Sequence, residues 1–346
     1  MMSEKFKKAI LFSGGGTRLM IYLGIFAALE ELEMKPDIII ASCGGAFAAT
    51  VINSFSDNIS RKEYLKSEEY FKFVSGTVLT PYKKLSQIGV LSLKKILNKR
   101  NAPFIEDVFS KYLVEMPQDL SKVFPSLKNT QFSQIIPTVI IGSEILFDPQ
   151  ETEQKRKDRK LYRKIIITDS TTAEKINPGQ ITIKSKNLMN SAVENRPLIK
   201  TDLSLLESTR ISVSDMFYVE PFFLKGKYFA GGAIDLIPIE LAQHLADEII
   251  IEKKQYYSPV EEAFVRAVLG FSGNERLAEI EKLSPDFQID TTHIKRDLKG
   301  HYLKKGINWK KFEIDFSFPN DHQQFAEDME MQWQYGFNQT IKSIRG

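Results

Sequence analysis

Between Pro36 and Ala49 the chain reads PDIIIASCGGAFAA, and few folds can use such a stretch. Ile38 to Ile40 form a short β-branched run suited to a buried strand, and the small residues after it suit a helix start. Cys43 stands at the junction and is the only cysteine in the chain. Ala41, Gly44, Gly45 and Ala46 are small enough for a strand to reverse sharply into a helix beside it. A side chain held on such a corner, at a helix N-terminus and clear of its neighbours, is what a nucleophile elbow requires.

Upstream, Lys8 to Phe12 reads as a buried parallel strand. Ser13-Gly14-Gly15-Gly16-Thr17-Arg18 is then a glycine loop feeding a helix to about Glu33, with Ile21, Ile25, Ala28 and Leu32 at helical spacing. With the strand at Ile38 this makes a right-handed βαβ unit, the start of a doubly wound sheet. A glycine loop in this place has three uses. A dinucleotide fingerprint needs a glycine where Leu19 stands and an acidic residue after the second strand, and a P-loop needs Gly-Lys-Ser/Thr. Neither is present. The third use is an oxyanion hole, in which consecutive backbone N–H groups point at a developing negative charge.

The two stretches together resemble the patatin-like phospholipases, whose elbow is Gly-x-Ser-x-Gly and whose glycine loop is Gly-Gly-Gly-x-Arg-Gly. Ala41 stands at the first glycine of the elbow, Ser42 at the variable position, Cys43 at the nucleophilic serine and Gly45 at the second glycine. Placing Ser42 at the nucleophile instead would put Ile40 at the first glycine and move every small residue off its position. In the loop, Gly14, Gly15, Gly16 and Arg18 match, while Leu19 replaces the last glycine and adds bulk next to the donors. Leu203 to Pro221 resembles the family's helix and loop beside the elbow, with Thr209 to Ser214 in place of its alanine and serine run. A strand at Lys227-Tyr228-Phe229 then leads to Ala230-Gly231-Gly232, where the family has Asp-Gly-Gly, with Pro238 as the proline that follows.

The resemblance covers about Lys7 to Glu252. It implies an α/β fold of three layers, with a mainly parallel central sheet flanked by helices over residues 7–252. Residues 253–346 are expected as a C-terminal helical extension packed on the same domain. It also implies a serine and aspartate dyad without histidine, the aspartate serving as general base and then general acid. Ala230 can do neither, so the expected activity is a lipid acyl-ester hydrolase with a degenerate dyad and slow or lost turnover. Two alternatives stand beside it: an inactive acyl-lipid-binding protein, and an acyltransferase dependent on Cys43. A free thiol is already a few per cent ionised at neutral pH and a helix N-terminus lowers its pKa, so Cys43 is expected to be reactive unaided. Asp235 lies five residues past the lost aspartate and faces elsewhere if the family's turn is kept. His244, His293, His301 and His322 fall in none of the matched motifs.

With 47 basic and 44 acidic residues the net charge is only +3, which calls for no nucleic-acid partner. A single cysteine excludes an internal disulfide and fits the cytoplasm. The apolar run Ala9 to Phe12 is too short for a signal peptide, and no apolar stretch approaches the roughly 20 residues that span a bilayer. Membrane contact is therefore expected to be peripheral, at the inner face, and the partner to be an acyl lipid or fatty-acyl ester. No Cys or His pairs have metal spacing, and no cofactor is indicated. Elsewhere, Phe104 to Leu113 has the spacing of a helix begun by Pro103, and Pro137 delays or displaces to an edge the strand Ile135 to Ile141. Glu151 to Lys164 is a charge-dense loop or hairpin. A closing helix over Gln323 to Ile344 carries Phe325, Met329, Trp333, Phe337 and Ile341 as a core stripe.

Overall fold

Every side chain of the strand Ile38–Ser42 is buried, and the sheet grows outward from it. The computed structural model describes residues 4–14, 18–98, 100–181, 186–283, 285–301, 304–319 and 321–345. Its strands are β1 (Phe6–Phe12), β2 (Ile38–Ser42), β3 (Val78–Leu79), β4 (Val114–Glu115), β5 (Thr138–Ile145), β6 (Tyr162–Thr168), β7 (Val193–Lys200), β8 (Phe222–Leu224), β9 (Lys227–Ala230), β10 (Ala246–Lys253), β11 (Phe287–Asp290), β12 (Lys304–Asn308) and β13 (Glu313–Ser317). The main sheet runs β11-β10-β1-β2-β5-β6-β7, with β9 also paired to β5 and β8 to β9. Its pairings from β11 through to β5 are parallel. The antiparallel ones are β5 with β6, β5 with β9 and β8 with β9.

Alternation along the strands divides the core into two layers. Ile10, Phe12, Ile39, Ala41 and Ile140 face one cluster, shared with the helices Leu19–Glu31, Gly44–Ser54 and His322–Arg345. Ala9, Leu11, Ile38, Ile40, Val139 and Ile141 face the other, shared with Ile239–Leu245, Pro259–Leu269 and Gly273–Lys282. A parallel sheet covered on both faces buries β-branched residues on each side of every strand, each such side chain contributing about 1.5–3 kcal/mol. This is the expected three-layer arrangement.

The expected strand from Ile135 starts late, at Thr138 just past Pro137, and lies in the sheet interior, not at an edge. Pro137 has no N–H to give, but its carbonyl accepts from Ile39 N at 2.9 Å. The expected helix over Phe104 to Leu113 does not form. Its backbone is taken by another partner: Ile105 N donates to Gln154 O at 2.8 Å and Glu153 N donates to Ile105 O at 2.7 Å. Ile105 and Val108 are buried all the same, so apolar spacing reflects burial here and not helical period. The charge-dense segment leads into the β5–β6 hairpin, and its Arg156 is buried, donating to the Ala102 carbonyl at 2.6 Å.

After residue 252 the chain adds β11 to the main sheet, the β12–β13 hairpin and the helix His322–Arg345. That helix lies against Leu19–Glu31 at backbone contact. A Cβ at Gly24 would overlap the Trp333 carbonyl, and one at Gly336 would overlap the Ile21 carbonyl. This crossing sets which face is buried. Phe325, Met329, Gln332, Tyr335 and Thr340 are inside, whereas Trp333, Phe337 and Ile341 of the expected stripe are half-buried. Replacing Gly24 by valine should therefore lower the melting temperature, at a cost of about 1–3 kcal/mol or more. Thermal unfolding by circular dichroism checks it, and an unchanged transition would show that the helices do not meet here.

Candidate active site

Strand β2 ends at Ser42, and the partner strand β5 runs on. In the space β2 leaves, β9 takes over that edge of β5, pairing Ala230 with Ser143. The turn Gly231-Gly232 is thereby set down directly on the corner where β2 becomes the helix Gly44–Ser54. Cys43 occupies that corner with φ 49° and ψ −126°, a conformation that L residues rarely hold.

Close backbone approach keeps it there. A Cβ on Gly45 would overlap the Phe12 carbonyl at the end of β1, and one on Gly14 would lie 2.6 Å from the Cys43 Cβ. One on Gly232 would lie 2.7 Å from the Ser42 Cβ. The Cys43 N–H donates to Ser212 Oγ at 2.8 Å, and that hydroxyl donates to Ile141 O at 2.6 Å. Ser42 Oγ donates to Leu236 O at 2.7 Å, so Ser42 points away from the thiol's side and belongs to the scaffold. Ala41 is buried in the sheet, and Gly44 opens the helix and lines the cavity described below.

Ala230, expected at the aspartate of the Asp-Gly-Gly turn, is buried in the apolar layer of the sheet. The carboxylate comes instead from Asp215, two residues past the helix Leu205–Val213. Cys43 Sγ donates to Asp215 Oδ1 at 3.1 Å, and the same oxygen accepts from Ala233 N at 3.1 Å. Asp215 fits because residue 231 has no side chain: a Cβ there would overlap Asp215 Oδ1. Asp215 matches none of the motifs, although it is the only acid between Glu207 and Glu220 in the stretch expected beside the elbow.

Arg210 holds the loop that carries Asp215. It is fully buried, with its guanidinium on the carbonyls of Pro117 at 2.8 Å and Met116 at 3.3 Å, on Ser214 Oγ, and on Glu220 through both carbonyl and carboxylate. Burial pulls its pKa down to about 10, so it remains charged at neutral pH.

Burial pushes the Asp215 carboxyl up to about 6, opposed by the bonds from Cys43 and Ala233. Burial also pushes the Cys43 thiol well above the ordinary range, and the neighbouring Asp215 charge pushes it the same way. That reverses the expectation of a depressed thiol pKa. Partial positive charge at a helix N-terminus is worth less than desolvation plus an adjacent carboxylate. The resting pair is a protonated thiol donating to a carboxylate.

Gly14 and Arg18 are held by a buried ionic cluster. Arg18 is bound to Glu252 and, at 2.9 Å, to Thr291, which ties the loop's far end to β10. Lys254 donates to the Gly14 carbonyl and to Tyr22 Oη at 3.1 Å, and lies 3.0 Å from Glu252. Burial lowers Lys254 to about 8, while Glu252 is held at about 2 against its burial by Lys254 and Arg18. Gly15 and Gly16 lie outside the described residues; of the expected oxyanion loop, Gly14 and Arg18 are within them.

The corner opens into a cavity of about 360 Å³. Cys43 and Asp215 line it, and Leu19, Phe47, Phe73, Met116, Phe124 and Val213 supply apolar wall. Leu19, expected to crowd the donors, thus faces the same space as the thiol. None of the four histidines lines it. Asp235 points elsewhere, to Lys164 at 2.8 Å and Arg276 at 3.8 Å. Among the described residues no group of three or more His, Cys, Asp or Glu side chains converges as a metal site would require. If the thiol is held protonated as described, iodoacetamide at neutral pH should label Cys43 more slowly than a free-cysteine peptide. Asp215→Asn should move the rise in rate to lower pH. Peptide-like labelling of the parent, read by mass spectrometry, would contradict the geometry.

No curated protein sequence matches the chain. Among solved structures it is similar to human GIVD cytosolic phospholipase A2, at 11% identity and TM-score 0.39, over 98% of this chain and 59% of that one. It is similar to VipD from Legionella pneumophila at 12% identity and TM-score 0.34, over 98% and 67%. It is also similar to the type III effector protein ExoU at 13% identity and TM-score 0.31, over 97% and 53%. The chain thus spans between about half and two thirds of the length of these proteins. The family profile described as Patatin-like phospholipase matches residues 10–242, which include the glycine loop, the elbow, Asp215 and the Gly231-Gly232 turn, and this chain belongs to that family.

Proposed function

We propose that the chain is a lipid acyl-ester hydrolase working through Cys43 and Asp215. The observation that carries this is the 3.1 Å contact between thiol and carboxylate in the wall of a largely apolar cavity. A cavity of this size and lining suits an acyl chain, and the hydrogen-bonded thiol and carboxylate in its wall can meet the ester carbonyl of such a chain. With a carboxylate beside the thiol, the loss of aspartate at position 230 does not leave the nucleophile without a base.

The steps follow from the two residues. Cys43 Sγ attacks the carbonyl carbon as its proton passes to Asp215. The tetrahedral intermediate collapses to a thioester, and Asp215 returns the proton to the leaving alcohol. A water then gives a proton to Asp215 and attacks the thioester, releasing the fatty acid as Sγ regains its proton. Because the thiol rests neutral, the carboxylate is needed in both halves. A catalytic thiol also suits the reducing cytoplasm, where it stays free.

Hydrolysis of a short-chain p-nitrophenyl ester tests this. Cys43→Ala should abolish turnover and Asp215→Asn should lower it by about 10²- to 10⁴-fold. Asp215 must be ionised to act and is raised to about 6, so the rate should fall as pH drops through about 6. Full activity in Asp215→Asn would remove the carboxylate from the mechanism. No activity in any form, together with a melting temperature raised by fatty acid, would favour the acyl-lipid-binding alternative.

A further inference from the structure

The helix Leu85–Leu97 is built inside out. Its Lys95 is 5% exposed, with Nζ 2.6 Å from Glu106 and over the rings of Phe217 and Phe264, while Leu93 and Leu97 are 58% and 72% exposed and Val90 and Ile96 also face solvent. Burying the charge and showing the leucines costs stability in water unless the leucines meet an apolar medium. The N-terminus of this helix meets the β12–β13 hairpin, where Leu85 N donates to Phe312 O at 3.0 Å and Lys83 lies 3.3 Å from Glu313. The hairpin shows the same inversion at its turn. Trp309 is 73% exposed, flanked by exposed Ile307 and Phe312.

The helix and the hairpin turn carry basic side chains without acidic ones between them. From Val78 to Phe104 and from Leu298 to Phe312 the sequence holds no aspartate or glutamate, although the chain as a whole is nearly neutral. Lys84, Lys94 and Arg100 are exposed in the first segment, and Lys310 and Lys311 in the second. Aromatic and aliphatic side chains among lysines suit the boundary of an anionic bilayer, where rings and leucines enter the acyl layer and the cations meet lipid phosphates and carboxylates. The face also runs into the cavity: its rim residues Gly76 and Thr77 lead directly into β3 and on to this helix, and Phe316 of β13 lines the wall.

We infer that the helix Leu85–Leu97 and the β12–β13 turn form a docking surface for anionic membranes, set beside the cavity mouth. The inference goes beyond the hydrolase reading and does not need catalysis, since binding is read separately from turnover.

Sedimentation with vesicles of phosphatidylcholine alone, and of equimolar phosphatidylcholine and phosphatidylserine, tests it on the full chain. The parent protein and Cys43→Ala should bind the anionic vesicles alike, more weakly as salt is added, and bind neutral vesicles poorly. Trp309→Ala with Phe312→Ala, and separately Lys310→Glu with Lys311→Glu, should each weaken anionic binding by roughly tenfold or more. Lys282→Glu, at the end of the helix Gly273–Lys282, should leave it unchanged. The hairpin variants and Lys282→Glu should keep the parent's rate on a soluble ester, and circular dichroism should show parent-like folding in every variant. Because the charge-reversed pair changes only exposed lysines, it decides the matter if the aromatic pair misfolds. Binding to neither vesicle, equal binding to both, or loss in Lys282→Glu as large as in the hairpin variants would each overturn the inference.

Discussion

One backbone conformation governs the site. Holding Cys43 at φ 49° costs on the order of 1–3 kcal/mol, and the surroundings must over-determine it. They do so by bringing three backbones closer than any side chain would allow. The end of β1 presses on Gly45, the corner itself presses on Gly14, and the turn after β9 presses through Gly232. With those approaches made, the thiol has one direction left to point, into the cavity beside Asp215.

Buried charge around that corner is handled in two different ways. Arg210 and the Arg18, Glu252, Lys254 cluster are saturated with partners, and they act as clamps: one on the loop carrying Asp215, the other behind Gly14. Asp215 is left with a thiol and one amide. An under-solvated carboxylate with a pKa near neutrality is a serviceable base, whereas a saturated one such as Glu252 at about 2 is not. The same fold therefore holds carboxylates of opposite character a short distance apart, and the difference lies in how many cations face each.

The altered residues of the motif are mutually consistent. Ala230 places no carboxylate beside Gly231, and the side-chain-free Gly231 leaves the room Asp215 occupies. A carboxylate arriving from the loop after residues 205–213 meets the Cys43 sulfur from a different strand connection. The proposed reaction thus keeps a nucleophile and a carboxylate, with the carboxylate supplied from a different point along the chain.

Much of this was legible in the order of residues, because local rules carry it. The β-branched run before Cys43, Gly14 after β1 and the small residues opening the next helix each dictate a backbone within a few positions, and the three-layer sheet follows from such units. Helical spacing misled at Phe104 to Leu113, where burial without helix produces the same apolar pattern. Asp215 was not legible. It lies 172 residues from Cys43, and nothing local marks it off from a solvated loop acid. Its role exists only because β2 stops at Ser42 while β9 continues along β5, a register between distant segments that alone decides which carboxylate meets the thiol.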